Sequence, residues 1–115
     1  MSLANSYISV DTSKLPLSLE LKDENRVFRL EFIYNLYNDG IYVNLYDSLD
    51  NVIWEREKML YGVPLWQSIM EDTNGNFDPN FPSFYLVPLS KDNTEYPVNK
   101  KTLNTNVFLV VVERS

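Results

Sequence analysis

The chain has 115 residues, with ten Lys and Arg against sixteen Asp and Glu, and it contains neither His nor Cys. This length suits one domain with its own core. The missing residue types exclude disulfides, thiolate metal sites and catalysis that depends on His or Cys. The net charge of −6 predicts no nucleic-acid partner, and no apolar run is long enough to predict a membrane span.

The residue types favour strands, because Tyr, Phe, Val, Ile and Trp dominate and Ala occurs once. Alternation of apolar and polar residues is the main signal. Strands are predicted, in chain order, at residues 7–10, 17–22, 26–34, 41–46, 52–59, 84–89 and 107–112. Pro88 indicates an edge strand or the end of a strand, and the charges of 52–59 indicate an edge or a solvated face. The run 107–112 is apolar at every position, which predicts a central strand.

The connections between these strands are rich in residues that favour turns. Asp39-Gly40 is predicted to supply the positive φ of a tight hairpin, because Gly has no Cβ. Residues 47–51 form a second predicted turn. Residues 61–66 are predicted to bend, and for 65–70 a helical turn and a short strand both stay open.

Together these elements predict a single all-β domain over residues 1–115. Six to seven short strands separated by turns are typical of a small antiparallel β-barrel or a sandwich, and both stay open. Residues 1–4 are interpreted as disordered or as a leader added for expression.

Two constellations are candidates for chemistry. Residues 72–78 place oxygen-bearing side chains at alternate positions, as calcium loops do, but Phe77 stands where an EF-hand has Gly. A polar turn is therefore favoured there. Glu55 and Glu57 share a face of a predicted strand about 6.5–7 Å apart, a separation that resembles glycosidase carboxylates. A charged edge strand is favoured instead, so no catalytic residue, cofactor or metal ligand is assigned.

The aromatic side chains are the stronger candidates for a binding surface. Tyr42 and Tyr46 share a predicted strand face, Trp54 lies on the adjacent strand, and Trp66 follows in the irregular middle. Such residues anchor protein interfaces, and we predict that these four do so here. They also stack on sugars, so a small carbohydrate-binding module is the alternative. A sheet that buries both faces is the structural explanation of the same pattern.

The chain also resembles a known family. The motifs that carry the resemblance are Arg-Val-Phe-Arg-Leu-Glu-Phe-Ile-Tyr-Asn (26–35), Asp-Gly-Ile-Tyr-Val-Asn-Leu-Tyr-Asp (39–47), Leu-Tyr-Gly-Val-Pro-Leu (60–65) and Leu-Asn (103–104) before an aliphatic strand. In this order they are similar to the small baseplate plug family of contractile-tailed bacteriophages, over residues 17–113. Asn51 and Asn104 stand where that family often has Gly, and Asn tolerates positive φ. Pro88-Leu89 replaces an Asp that is common there.

The resemblance implies a non-enzymatic structural component of a phage or prophage tail baseplate. Such a protein is made in the host cytoplasm and located in the virion. The resemblance implies protein contacts with baseplate hub or spike proteins, and self-association stays open. It transfers no catalytic residues. β-augmentation at a free strand edge is one physical route to such contacts.

Overall fold

The structure is a computed structural model that describes residues 6–113. Two antiparallel sheets pack on each other as a sandwich. The three-stranded sheet contains β1 (Tyr7–Ile8), β6 (Phe84–Ser90) and β7 (Val107–Glu113), in the order β1-β7-β6. The four-stranded sheet contains β2 (Leu17–Asp23), β3 (Arg26–Asn35), β4 (Gly40–Tyr46) and β5 (Val52–Lys58), in chain order. A 3₁₀ turn (Thr12–Lys14) precedes β2, and the short helix α1 (Gln67–Met70) precedes β6.

The predicted all-β class is confirmed, and the sandwich is the correct one of the two architectures. The barrel is wrong, because no ladder joins the two sheets within residues 6–113. β7 is the central strand of its sheet and β6 and β5 are edge strands, as predicted. Residues 67–70, whose conformation was open, are helical. The prediction that residues 1–4 are disordered or a leader concerns residues that the structure does not describe.

The core follows from the alternation of apolar residues on β3 and β4. Leu30 lies opposite Leu45 and Phe32 lies opposite Val43, and all four side chains are fully buried. Leu109 of β7 faces them from the other sheet and is equally buried. Burial of one such side chain contributes about 1.5–3 kcal/mol, so this shared layer holds the sheets together.

Two tight turns differ from prediction in the residue that takes the left-handed conformation. Asp39 has φ 55°, whereas Gly40 begins β4 without a positive φ. Gly40 is needed for space instead, since a Cβ there would lie 2.8 Å from Asn38 Oδ1. In the turn 47–51, Asp50 has φ 63°, so the expectation for Asn51 is wrong. The matching expectation for Asn104 is confirmed, with φ 71°.

The long connection between β5 and β6 is fixed at two places. The bend at 61–66 lies along the edge of β6, where Gly62 N–H donates to the Pro88 carbonyl (2.8 Å) and Leu65 N–H donates to the Leu86 carbonyl (2.9 Å). Gly62 has φ 73°, which favours Gly. The edge of β6 is therefore covered by the chain's own backbone, and Pro88 lacks an N–H that would need a partner there.

The second fixed place is a polar cluster at the end of β2. Asp23 is buried, and its carboxylate accepts from Ser83 N–H (2.9 Å), from Ser83 Oγ (2.7 Å) and from Arg26 Nη2 (2.7 Å). Burial raises the pKa of Asp23, but these hydrogen bonds outweigh it and leave the pKa below its ordinary value. Arg26 also donates to the Phe81 carbonyl (3.1 Å). The cluster therefore ties the loop before β6 to the four-stranded sheet.

Candidate protein-binding surfaces

The outward face of the four-stranded sheet carries two of the four predicted interface residues. Tyr42 lies opposite Ile33, and Tyr46 lies opposite Arg29. Both tyrosines are half-buried. The neighbouring pair on this face is Glu31 opposite Asn44, so the face is largely polar.

Hydrogen bonds hold this polar face in place. Glu31 Oε1 accepts from Asn44 Nδ2 (3.0 Å) and from Tyr46 Oη (3.1 Å). The guanidinium of Arg29 lies 4.0 Å from the centroid of the Tyr46 ring, so that ring is covered on one side. Burial, followed by the hydrogen bond to Glu31, raises the pKa of Tyr46. Tyr46 is thus a fixed part of the sheet surface.

A bulge in β5 changes the predicted alternation. Glu57 lies opposite Val43 and Trp54 lies opposite Leu45, so two residues of β5 stand opposite Asn44 alone. One of the two, Arg56, has φ 58°, and its N–H donates to Asn44 Oδ1 (2.7 Å). The regular alternation that would have placed Glu55 and Glu57 on the same strand face is therefore interrupted.

The interrupted alternation brings Glu57 beside the tryptophans. Glu57 Oε1 accepts from Trp54 Nε1 (3.2 Å), and Glu57 Oε2 accepts from the backbone N–H of Trp66 (2.6 Å). The hypothesis of a Glu55–Glu57 carboxylate pair on one regular strand face is wrong, because the bulge lies between them. Glu57 instead links the edge strand to the bend at 61–66.

The two predicted tryptophans have different positions. Trp54 is 39% exposed at the edge of the sheet. Trp66 is 1% exposed and packs against Phe81, with ring centroids 6.3 Å apart. Its placement at the surface is therefore a wrong prediction: the bend that holds Leu65 on β6 directs the Trp66 side chain into the core.

Two exposed apolar residues at the β3–β4 turn were missed. Leu36 is 76% exposed and Tyr37 is 99% exposed. The turn is held by its own side chains, since Asn35 Oδ1 accepts from Tyr37 N–H (2.9 Å) and Asn38 Nδ2 donates to Tyr42 Oη (2.6 Å). A Leu-Tyr pair inside a predicted turn is the sequence signal that could have identified it, because turns seldom bury such residues.

This turn borders an open groove of about 570 Å³, which we call the tip groove. Its lining residues are Ile33, Tyr34, Asn35, Leu36, Tyr37, Tyr42 and Arg56. The Tyr34 side chain is fixed by donation from its Oη to Asp39 Oδ1 (2.7 Å). Tyr42 is thus the one of the four predicted interface residues that lines this groove.

The outward face of the three-stranded sheet is apolar, and we call it the apolar face. Its residues are Tyr7, Tyr85, Val87, Leu89, Phe108, Val110 and Val112. Tyr7 lies opposite Val110 and contacts Phe108 edge to face, with centroids 4.9 Å apart. These rings leave Val110 buried although it points away from the core. The apolar run of β7 thus has one side on the core and one side on this face.

The comparison with protein families decides among the classes of function. The family model described as "Cyanophage baseplate Pam3 plug gp18" matches residues 5–114. The chain belongs to this family. No curated protein and no solved structure is found to match it.

Membership of this baseplate plug family confirms the resemblance of the sequence motifs. The family is a structural component of the phage tail baseplate, which implies interaction with other baseplate proteins. No helix within residues 6–113 is both long and apolar enough to cross a membrane. Any function of the two surfaces therefore belongs in the context of the baseplate.

The loop 72–78, which shares a pattern with calcium loops and was predicted to be a polar turn, is held by its own hydrogen bonds in this plug-family chain. Asp72 accepts from the backbone N–H of Asn74 (2.9 Å) and Asn76 (2.8 Å), and the bond from Asn76 is the main cause of its lowered pKa. Asp47 closes the turn 47–51 in the same way, through Leu49 and Asn51. Within the described residues no three acidic side chains gather at one point. Both carboxylates are thus occupied by their own loops.

Proposed function

We propose that the chain is a non-enzymatic, plug-like component of a phage or prophage tail baseplate that contacts hub or spike proteins through the apolar face. The observation that carries this proposal is the apolar outward side of β6 and β7. Leu89 lies opposite Phe108, and Val112 lies opposite Tyr85, with no charged residue between the pairs. Contiguous apolar surface of this kind marks protein interaction sites.

The charged residues beside this face are arranged as at the border of a protein interface and not as in a catalytic site. The ammonium of Lys91 lies 5.0 Å from the Phe108 centroid, where it borders the apolar residues as a polar rim does. Asp92, next to it, accepts from Thr94 N–H (3.0 Å) and Tyr96 Oη (2.8 Å). Its carboxylate closes a local turn, and these bonds lower its pKa.

The predicted aromatic residues favour protein contact over the carbohydrate-binding alternative. Sugar stacking needs exposed ring faces in a row. Trp66 is buried, and Arg29 covers a face of Tyr46. Tyr42 and Trp54 stay proposed protein contacts on the four-stranded sheet, apart from the apolar face.

The test measures incorporation into tails purified from the phage or induced prophage that encodes the chain. Lys at positions 89 and 112 (Leu89→Lys with Val112→Lys) places two charges on the apolar face. We expect incorporation to fall at least tenfold, since docking would bury two unpaired charges at a few kcal/mol each. Mass spectrometry of the tails gives the amount of the chain relative to the sheath.

The matched control is Leu49→Lys with Val52→Lys, which adds the same charge at exposed apolar positions of the β4–β5 turn. This control should be incorporated within twofold of wild type. Circular dichroism of each purified variant establishes that it folds. Normal incorporation of the folded 89/112 variant, or absence of the wild-type chain from tails, would contradict the proposal.

A further inference from the structure

The tip groove combines an apolar lining with one exposed cation, Arg56, whose guanidinium has no partner among residues 6–113. Leu36 and Tyr37 form one side, and Ile33 and Tyr42 belong to the sheet beneath. Arg56 lies on the neighbouring strand, and its side chain forms no ion pair or ring contact within residues 6–113. Arg56 is the charged residue among those that line the groove, in a chain of net charge −6.

The backbone directs Arg56 into this position. The bulge in β5 gives Arg56 a positive φ of 58°, a backbone conformation that is strained in residues other than Gly. Asn44 Oδ1 holds the bulge by accepting the Arg56 N–H (2.7 Å). Bulges re-aim side chains beside functional sites, and strained backbone is concentrated at such sites. The side chain that results lines the groove.

We infer that the tip groove binds an extended segment of a partner protein in which a large apolar residue is followed by Asp or Glu. The apolar side chain would lie between Leu36 and Tyr42, and the carboxylate would pair with the guanidinium of Arg56. Arg binds carboxylates through two parallel hydrogen bonds, which gives this pairing its geometry. The inference rests on the proposed function, because it assumes a protein partner, but it concerns a different surface from the apolar face.

The fit of this partner follows from charge and shape together. An apolar segment without an acid would leave Arg56 beside a water-excluding neighbour and unpaired, which is unfavourable. A purely acidic segment would leave Leu36 and Tyr37 uncovered. The groove is open to solvent and the Tyr37 residue at its border is 99% exposed, so an extended chain can reach the groove.

The test uses the full chain labelled with ¹⁵N and two capped peptides. One is acetyl-Gly-Leu-Phe-Glu-Gly-amide, and the other has Gln in place of Glu. We expect the acidic peptide to shift amide signals of residues 33–37, 42 and 56, with a dissociation constant roughly fivefold lower than that of the Gln peptide. Equal binding of the two peptides, saturable shifts elsewhere only, or no saturable shift up to about 10 mM would overturn the inference.

Variants of the chain separate the charge from other effects. Arg56→Glu should weaken binding of the acidic peptide about tenfold and leave the Gln peptide within twofold, whereas Arg56→Lys should restore part of the difference. Lys22→Glu makes the same charge change on the outward side of β2 and should have no effect beyond twofold. An equal loss in both Glu variants would mean a general charge effect and would overturn the inference.

The two sets of experiments distinguish failure of the tip-groove inference from failure of the proposed function. If the 89/112 variant is lost from tails but the peptides do not distinguish Arg56, the groove inference fails alone. If the chain is absent from tails while binding of the acidic peptide depends on Arg56, the proposed function fails and the groove remains a peptide site.

Discussion

The two outward faces of the sandwich differ in composition, because one carries mainly polar side chains and the other apolar side chains. On the four-stranded sheet, Glu31, Asn44 and Tyr46 hydrogen-bond to each other across strands. On the three-stranded sheet, Val87 and Val110 lie opposite each other under aromatic rings. The first face satisfies its own polar groups, whereas the second consists of apolar side chains, of which Val87 and Val110 are buried by their neighbours in the chain. The difference teaches that a strand apolar on both sides need not lie in the middle of a core.

The largest expected effect comes from a charge within the apolar face. Val110→Asp should lower the free energy of unfolding by about 3 kcal/mol or more, because the carboxylate would be buried beneath Tyr7 without a partner. Urea unfolding followed by tryptophan fluorescence measures it. Ile33→Asp, at a half-buried position of the polar face, is the comparison and should cost less than about 1.5 kcal/mol. Equal losses would show that the two faces do not differ in the way described.

A smaller effect is expected from the centre of the polar face. Asn44→Ala should cost about 2 kcal/mol, because it removes a bond to Glu31 and leaves the N–H of Arg56 in the bulge without its acceptor. Asn38→Ala removes two bonds at the β3–β4 turn, one to Tyr42 Oη and one from the Gly40 N–H, and should cost less, about 1 kcal/mol. Urea unfolding gives both values. A loss for Asn44→Ala no larger than that for Asn38→Ala would mean that the bulge does not depend on this side chain.

The smallest effect is the pH dependence that Tyr46 contributes on the polar face. The pKa of Tyr46 is raised in the folded chain above its unfolded value of about 10. The stability that Tyr46 contributes is therefore complete below about pH 10 and is lost as pH rises through the folded pKa. Wild type should lose more stability than Tyr46→Phe between about pH 9 and 11 in thermal unfolding. Superimposable curves would show that burial and the hydrogen bond to Glu31 do not raise the pKa of Tyr46 on folding.

Strand positions could be predicted because side-chain alternation is local. The residues of β3, from Phe28 to Phe32, alternate in the sequence as they do in the structure. The bulge at Arg56 could not be predicted, since it depends on Asn44 of a neighbouring strand. Burial of Trp66 likewise depends on the bend lying along β6, a contact between residues more than twenty positions apart.

The binding surfaces were only partly predictable for the same reason. An apolar run such as 107–112 has the same pattern whether its second side meets a core or a partner. Tyr42 was identified because it shares a strand face with Tyr46, but Leu36 and Tyr37 lie in a turn, where periodicity gives no signal. The family motifs indicated the function more specifically than the strand patterns did, and the family model matches residues 5–114, nearly the whole chain.

The positive φ of Arg56 also has a consequence for the unfolded ensemble. Gly at this position would adopt the same backbone without strain, but it would give the unfolded chain more conformations to lose on folding. These two contributions are each of the order of 1 kcal/mol and oppose each other, so the fold alone is nearly indifferent between Gly and Arg. The backbone at this position therefore gives little reason to prefer one residue over the other, and it is the Arg56 side chain that lines the tip groove.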